Sequence, residues 1–365
     1  DMGSQSNSTL SFNMLWSKAK TGQGTAVEQK LEGLQAARAV AALSVAYFHS
    51  YIALRGFPEA AQLPIGALKD RGYLGVNFFF AISGYVICLV AAKPTFEPTV
   101  FAIKRLFRLY PMYWIAMMII AAMIGLGRYS PQSLDHFLYS MTLLPQQGAP
   151  AYDPSWTLER EMVFYVLAAI VVPFAGARGL AVVLATLAAC GWYFGNPWSF
   201  HLISTTQADF LAGVLVFLVR ERAKLLGAVV PIAIGCAGLW FSRTHELPFL
   251  VPASMAIVLL GMTQLRLPWE RPPFRWVVAI GDVSYSIYLL HYIVFYWSAF
   301  TSARLPWTLP DWLCEPWRYL ALALCCLISS VTWRYIEFPA IRFSERIARH
   351  KVPFADNQRS LVARQ

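Results

Sequence analysis

Three titratable side chains sit where an apolar chain rarely tolerates them. His49 lies near the end of the run LQAARAVAALSVAYFHSYIAL (Leu34 to Leu54), Glu161 near the start of another in SWTLEREMVFY, and His291 inside SYSIYLLHY. A neutral imidazole hydrogen-bonded to a carboxylate can take a proton from a hydroxyl, because the carboxylate fixes the tautomer and stabilises the imidazolium. Such a set suits acyl transfer to a sugar hydroxyl, and it also suits the relay of a proton-coupled transporter. Taken singly, each residue has a plainer reading: a helix–helix hydrogen bond for His49, an interfacial position for Glu161, a satisfied packing residue for His291. A second set is basic. Arg38 shares the run of His49, and Lys104, Arg105 and Arg108 fall in AIKRLFRLYP. Guanidinium groups grip phosphate oxygens in a fork, so the four predict an anion clamp. The same KRxxR is also what the positive-inside rule puts at any cytoplasmic boundary.

Helices must position these groups. Eleven residue steps, about 16 Å and close to three full turns, put Arg38 and His49 on similar faces of one helix. Apolar runs near 34–54, 73–92, 110–126, 157–174, 179–195, 208–219, 225–241, 247–263, 277–301 and 317–337 predict ten spans. Lys and Arg concentrate in alternate connections, which puts both termini in the cytoplasm; Lys69 and Arg71 in the first outer loop fit least well. Depth then follows from the 1.5 Å rise. His49 sits about 22 Å above the inner end of the first span and His291 about 21 Å above that of the ninth, with Glu161 four residues below an outer boundary. All three are expected at one level in the outer half of the membrane. The basic set is expected at the inner face, in a helix with Pro111 in its first turn.

The bulk composition agrees. Of 365 residues 57% are hydrophobic and 14% charged, which excludes an ordinary soluble domain. The net charge of +10 is spread between apolar runs, so no nucleic-acid partner is expected. Cys88, Cys190, Cys236, Cys314, Cys325 and Cys326 show no metal spacing and read mostly as buried small hydrophobes. The fold class is all-α, a multi-pass integral membrane protein. Residues 1–30 form a polar tail, with Asp1 ahead of Met2 read as a cloning remnant; 31–340 form the membrane domain and 341–365 a basic tail.

The Arg38 to His49 spacing, GYLGVNFFFAISGYVI from Gly72, KRLFRLYP from Lys104, SWTLEREMVFY from Ser155 and GDVSYSIYLLHY from Gly281 together resemble acyltransferase family 3. These are bacterial inner-membrane O-acyltransferases that modify exopolysaccharides, lipopolysaccharide O-antigens and related glycans, and the resemblance runs from about Leu31 to Glu337. It implies a ten-helix core, acetyl-CoA or another acyl-CoA as co-substrate with no tightly bound cofactor or metal, and a glycan or lipid-linked sugar acceptor. His49 is the expected catalytic base and Glu161 the acidic residue that orients it. Arg38, Lys104, Arg105 and Arg108 are expected to hold the donor. No hydrolase-like domain of the kind that some members append at the C-terminus is expected, and the resemblance is to the short, exopolysaccharide-associated members. Direct attack of the hydroxyl on the thioester is the expected mechanism, an acyl-His intermediate its variant. Ser284, Tyr285, Tyr288 and His291 are candidate oxyanion donors.

Overall fold

A computed structural model describes residues 26–57, 65–94, 96–196, 202–223, 227–305 and 310–351. Lys18 and Lys20, most of the N-terminal tail, Lys224 and residues 352–365 of the C-terminal tail lie outside the described residues. The described chain is helical throughout, with no strand among the described residues. In order the helices are α1 (Ala26–His49), α2 (Gly66–Arg71), α3 (Gly75–Ala91), α4 (Pro98–Gly125), α5 (Leu134–Ser140), α6 (Trp156–Tyr193) and α7 (Gln207–Val219). There follow α8 (Val229–Phe241), α9 (Leu250–Met262), α10 (Phe274–Asp282), α11 (Ser284–Ser302), α12 (Cys314–Thr332) and α13 (Phe338–Lys351).

Five of the described segments are long and apolar enough to cross a bilayer, and α10 with α11 makes a sixth if the bent pair is one span. The helices α7, α8 and α9 are apolar but only 13 residues each, about 20 Å, against a hydrocarbon core of about 30 Å. The fourth and fifth expected spans are one assigned helix, α6, broken at Gly176, whose φ of 63° and ψ of −168° are open to glycine and not to a helix. The ninth expected span is likewise not straight. It bends by 76° between Asp282 and Ser284, so α10 does not add to the height of His291, which lies seven residues into α11.

The basic segment does not open its helix. Glu97 caps α4 by accepting from the N–H groups of Thr99 and Val100 at 3.0 and 2.6 Å, with Pro98 in the first turn, so Pro111 falls mid-helix. The start of the 341–365 tail is helical too: α13 packs along α4, with Phe343 5.5 Å from Phe107. Arg71 of the expected first outer loop lies beside the end of α8: it donates to the Ser242 carbonyl at 2.6 Å, and Arg243 pairs with Asp70, the neighbour of Arg71, at 3.5 Å. All six cysteines are free, Cys88, Cys314 and Cys325 buried and Cys236 exposed.

Small residues let backbones meet. Gly72 and Gly75 lie against the carbonyls of Ser44 and Ala41 on α1, and Gly84 against that of Phe210. Gly213 of α7 is tightest, because a Cβ there would enter the space of the Ala81 carbonyl and come within 2.6 Å of the Tyr85 nitrogen. Beside this contact Phe164 and Phe210 stack at 4.3 Å. Gly213→Ala is expected to force α3 and α7 apart and destabilise the protein by about 1–3 kcal/mol, read as a lower melting temperature in detergent. An unchanged melting temperature would show that the contact is not a close one.

Candidate active site

The first helix changes winding at His49, passing into a 3-10 turn over Ser50–Leu54. Arg318 of α12 fixes that turn. Its guanidinium donates to Ser50 Oγ at 2.5 Å, pairs with Glu315 at 3.2 Å and lies over the Tyr47 ring at 5.1 Å, all while buried.

The ring of His49 meets that of His291. Nδ1 of His291 is 2.6 Å from the Tyr288 carbonyl, which only accepts, so this nitrogen carries the proton and Nε2 is the acceptor. Nδ1 of His49 stands 3.1 Å from the Val45 carbonyl and 3.2 Å from His291 Nε2, two acceptors, so it too carries the proton. Nε2 of His49 is therefore the free base of the pair. His49 borders a cavity of ≈ 130 Å³ lined also by Asn77, Asp153, Tyr288 and Tyr292. Tyr292 donates to Asp153 Oδ2 at 2.9 Å.

A second cavity of ≈ 110 Å³ is lined by Arg38, Arg105, Arg108 and Glu161, and the two cavities share Val76 and Tyr288 as wall residues. Each volume is too small to enclose a nucleotide or a whole sugar, so each takes the inserted edge or arm of a larger ligand. Arg105 lies over the rings of Phe101 and Tyr165, 5.4 Å from each. Arg108 pairs with the buried Glu337 at 3.3 Å, whose second oxygen accepts from Ser286 at 2.9 Å. Arg38 donates to Gln35 at 3.4 Å, which donates to Asp282 at 2.8 Å. Three guanidinium groups against one lining carboxylate make this cavity attractive to an anion.

The expected residues thus divide. His49 and His291 come together, as do Arg38, Arg105 and Arg108, while Tyr288 lines both cavities. Glu161 does not reach His49: its Oε1 accepts from Ser83 at 2.8 Å and Tyr165 at 2.5 Å, in the arginine cavity. The reason is the connection before α6. Tyr113, about 18 Å before the end of α4, donates to the Ser140 carbonyl, and Trp114 donates to that of Met141. The chain therefore folds back along α4 before α6 begins, so Trp156 starts deep, Thr157 bonds Tyr288 at 2.9 Å, and Glu161 is one turn deeper still. Lys104 is exposed and lines neither cavity, because Phe101, Arg105, Arg108 and Met112 define the inward face of α4. Ser284 is buried with no hydrogen-bond partner among the described residues and lines neither cavity. Tyr285 borders the arginine cavity with its hydroxyl committed to the Leu109 carbonyl at 2.7 Å. Asp153, Asn77, Glu337 and Arg318 were not singled out from the sequence. The Asp-Pro turn of YDPSW was the available signal for the first; Glu337 read as the end of an apolar run.

Residues 31–336 match a family described as the acyltransferase domain. The chain is 28% identical over 246 residues to the exopolysaccharide production protein ExoZ of Rhizobium meliloti (strain 1021), covering 60% of this chain and 75% of that protein. It is 27% identical over 267 residues to the protein named "Putative membrane-bound transacylase BcsY" of Komagataeibacter xylinus, covering 62% and 67% of the two chains. No solved structure matches the chain.

Proposed function

Because this chain belongs to the acyltransferase-domain family, we propose that it moves an acetyl or other short acyl group from acyl-CoA to a hydroxyl of an exported or cell-surface glycan. In this reading it crosses the bacterial inner membrane ten times with both termini cytoplasmic, and coenzyme A approaches the arginine cavity from the cytoplasm. One observation carries the proposal: a cavity with three guanidinium groups and a cavity with a free imidazole nitrogen adjoin at Val76 and Tyr288. The first suits the phosphates of a donor whose narrow thioester arm reaches the wall, the second an incoming hydroxyl.

The chemistry then runs through His49. Its Nε2 takes the proton of the acceptor hydroxyl as the oxygen attacks the thioester carbonyl. The tetrahedral adduct expels the thiolate, which recovers that proton from the imidazolium and leaves as coenzyme A. His291 Nε2 shares the Nδ1 proton of His49, 3.2 Å away, and steadies the charged ring. Tyr288, at the wall, is the oxyanion donor of this scheme, its hydroxyl turning from the Pro154 carbonyl at 3.1 Å. Glu161 acts on the donor side, in the arginine cavity, where Ser83 and Tyr165 donate to it.

The test is binding and turnover of radiolabelled acetyl-CoA by the purified protein, wild type against Arg105→Glu. Wild type is expected to bind and turn over the donor, and the reversal to weaken binding at least tenfold at unchanged melting temperature, since Arg105 holds no carboxylate among the described residues. Arg108 is unsuited to this test because its reversal would set two carboxylates together at Glu337. A wild type that binds no acyl-CoA sinks the reading.

A further inference from the structure

The cavity beside His49 is built from acceptors. Besides His49 it offers Asn77, whose Nδ2 donates one proton to the buried Asp209 at 2.9 Å, an assignment that leaves Oδ1 as an open acceptor beside the second N–H. It also offers Asp153. One oxygen of that carboxylate is held by Tyr292 at 2.9 Å and its backbone N–H by Tyr129 at 3.3 Å, while Oδ1 takes no hydrogen bond among the described residues. Among the described residues Asp153 is the one acidic group that lines the cavity, and no Lys or Arg among them does. Arg160 lies over the wall residue Trp156 at 4.9 Å and donates to Thr206 without lining the cavity, while Arg55, Arg128 and Arg304 are stacked on Tyr296 and Phe300, beyond Tyr292. Tyr73 and Trp156 bring aromatic surface to the cavity wall.

Resting on the acyl-transfer reading above, we infer that this cavity is the acceptor subsite and selects a neutral sugar residue with free hydroxyls adjacent to the one acylated. Three residues of one cavity that each bring an acceptor call for a ligand with O–H donors, and a pyranose edge supplies them: the reacting hydroxyl to His49 and its neighbours to Asn77 and Asp153. A uronic acid would set its carboxylate against Asp153 and two lone pairs with no lining Lys or Arg among the described residues to answer it, so the cavity disfavours acidic sugars. Selection is therefore as much by exclusion as by attraction.

The experiment supplies labelled acetyl-CoA and a matched pair of oligosaccharides, a gluco-oligosaccharide and its counterpart oxidised to glucuronic acid at C6. Wild type is expected to favour the neutral sugar at least tenfold in kcat/KM. Asp153→Asn, nearly isosteric, should raise the KM for the neutral sugar and shrink that preference several-fold, and Asn77→Ser should raise the KM while leaving the charge preference in place. Equal use of the acidic sugar by wild type, or an Asp153→Asn preference unchanged, overturns the inference. Acetyl-CoA hydrolysis without labelling of either sugar also overturns it while the donor reading stands. No acetyl-CoA turnover at all removes the acyl-transfer reading and this subsite with it.

Discussion

Replacing His49 with alanine is expected to lower acyl transfer by about 10²–10⁴-fold, the usual worth of a positioned general base, with acyl-CoA binding retained. The two effects separate because the imidazole and the guanidinium groups border different cavities that touch only at Val76 and Tyr288. His291→Ala in the same assay is expected to cost less. It removes an acceptor for the Nδ1 proton of His49, yet the Val45 carbonyl at 3.1 Å still holds that proton and keeps Nε2 unprotonated. The measurement is single-turnover transfer with labelled donor, beside donor affinity by equilibrium dialysis. Full activity in His49→Ala would remove the imidazole from the chemistry, and equal loss of binding and transfer would make its role structural.

The second large effect is one of stability. Glu337 is buried immediately before α13, paired with Arg108 at 3.3 Å and bonded by Ser286 at 2.9 Å. Breaking such a pair by removing one partner costs about 3–5 kcal/mol, because the surviving charge is left uncompensated. The Arg108 side chain keeps 22% of its exposure, so about 3 kcal/mol, the lower end, is expected for Glu337→Ala, read as a fall in melting temperature. Adding Arg108→Met to Glu337→Ala should recover most of the loss, since the orphaned cation goes with it. A single mutant as stable as wild type would mean that the pair is solvated in the folded protein.

Helical periodicity made part of this site legible. Arg38 and His49 share a face because eleven residues nearly close three turns, and the apolar runs gave the helices that carry His291 and Arg108. What escaped was set by contacts distant in sequence. The level of Glu161 depends on where α6 begins, and that depends on Tyr110, Tyr113 and Trp114 drawing residues 140–142 back along α4. No local pattern records such a return, so counting from an assumed membrane boundary put the carboxylate beside the wrong partner. Lys104 was misread for a smaller reason. Three basic residues in five look like one cluster, but on a helix Arg105 and Arg108 turn inward and Lys104 does not. Asp153 escaped because it stands in an irregular connection, where neither period applies and position comes from Tyr292 and Tyr129.

Val76 and Tyr288 bear on more than the meeting of two substrates. A continuous wet duct lined by guanidinium, carboxylate and imidazole groups across a bilayer would leak protons, and a membrane that stores energy as an ion gradient is discharged by such a leak. Val76 brings no polar side-chain atom to the wall, and the Tyr288 hydroxyl is tied between Thr157 and the Pro154 carbonyl. The wall that the two polar cavities share is therefore an apolar side chain and a hydroxyl already engaged, which is what a barrier to proton leakage there requires.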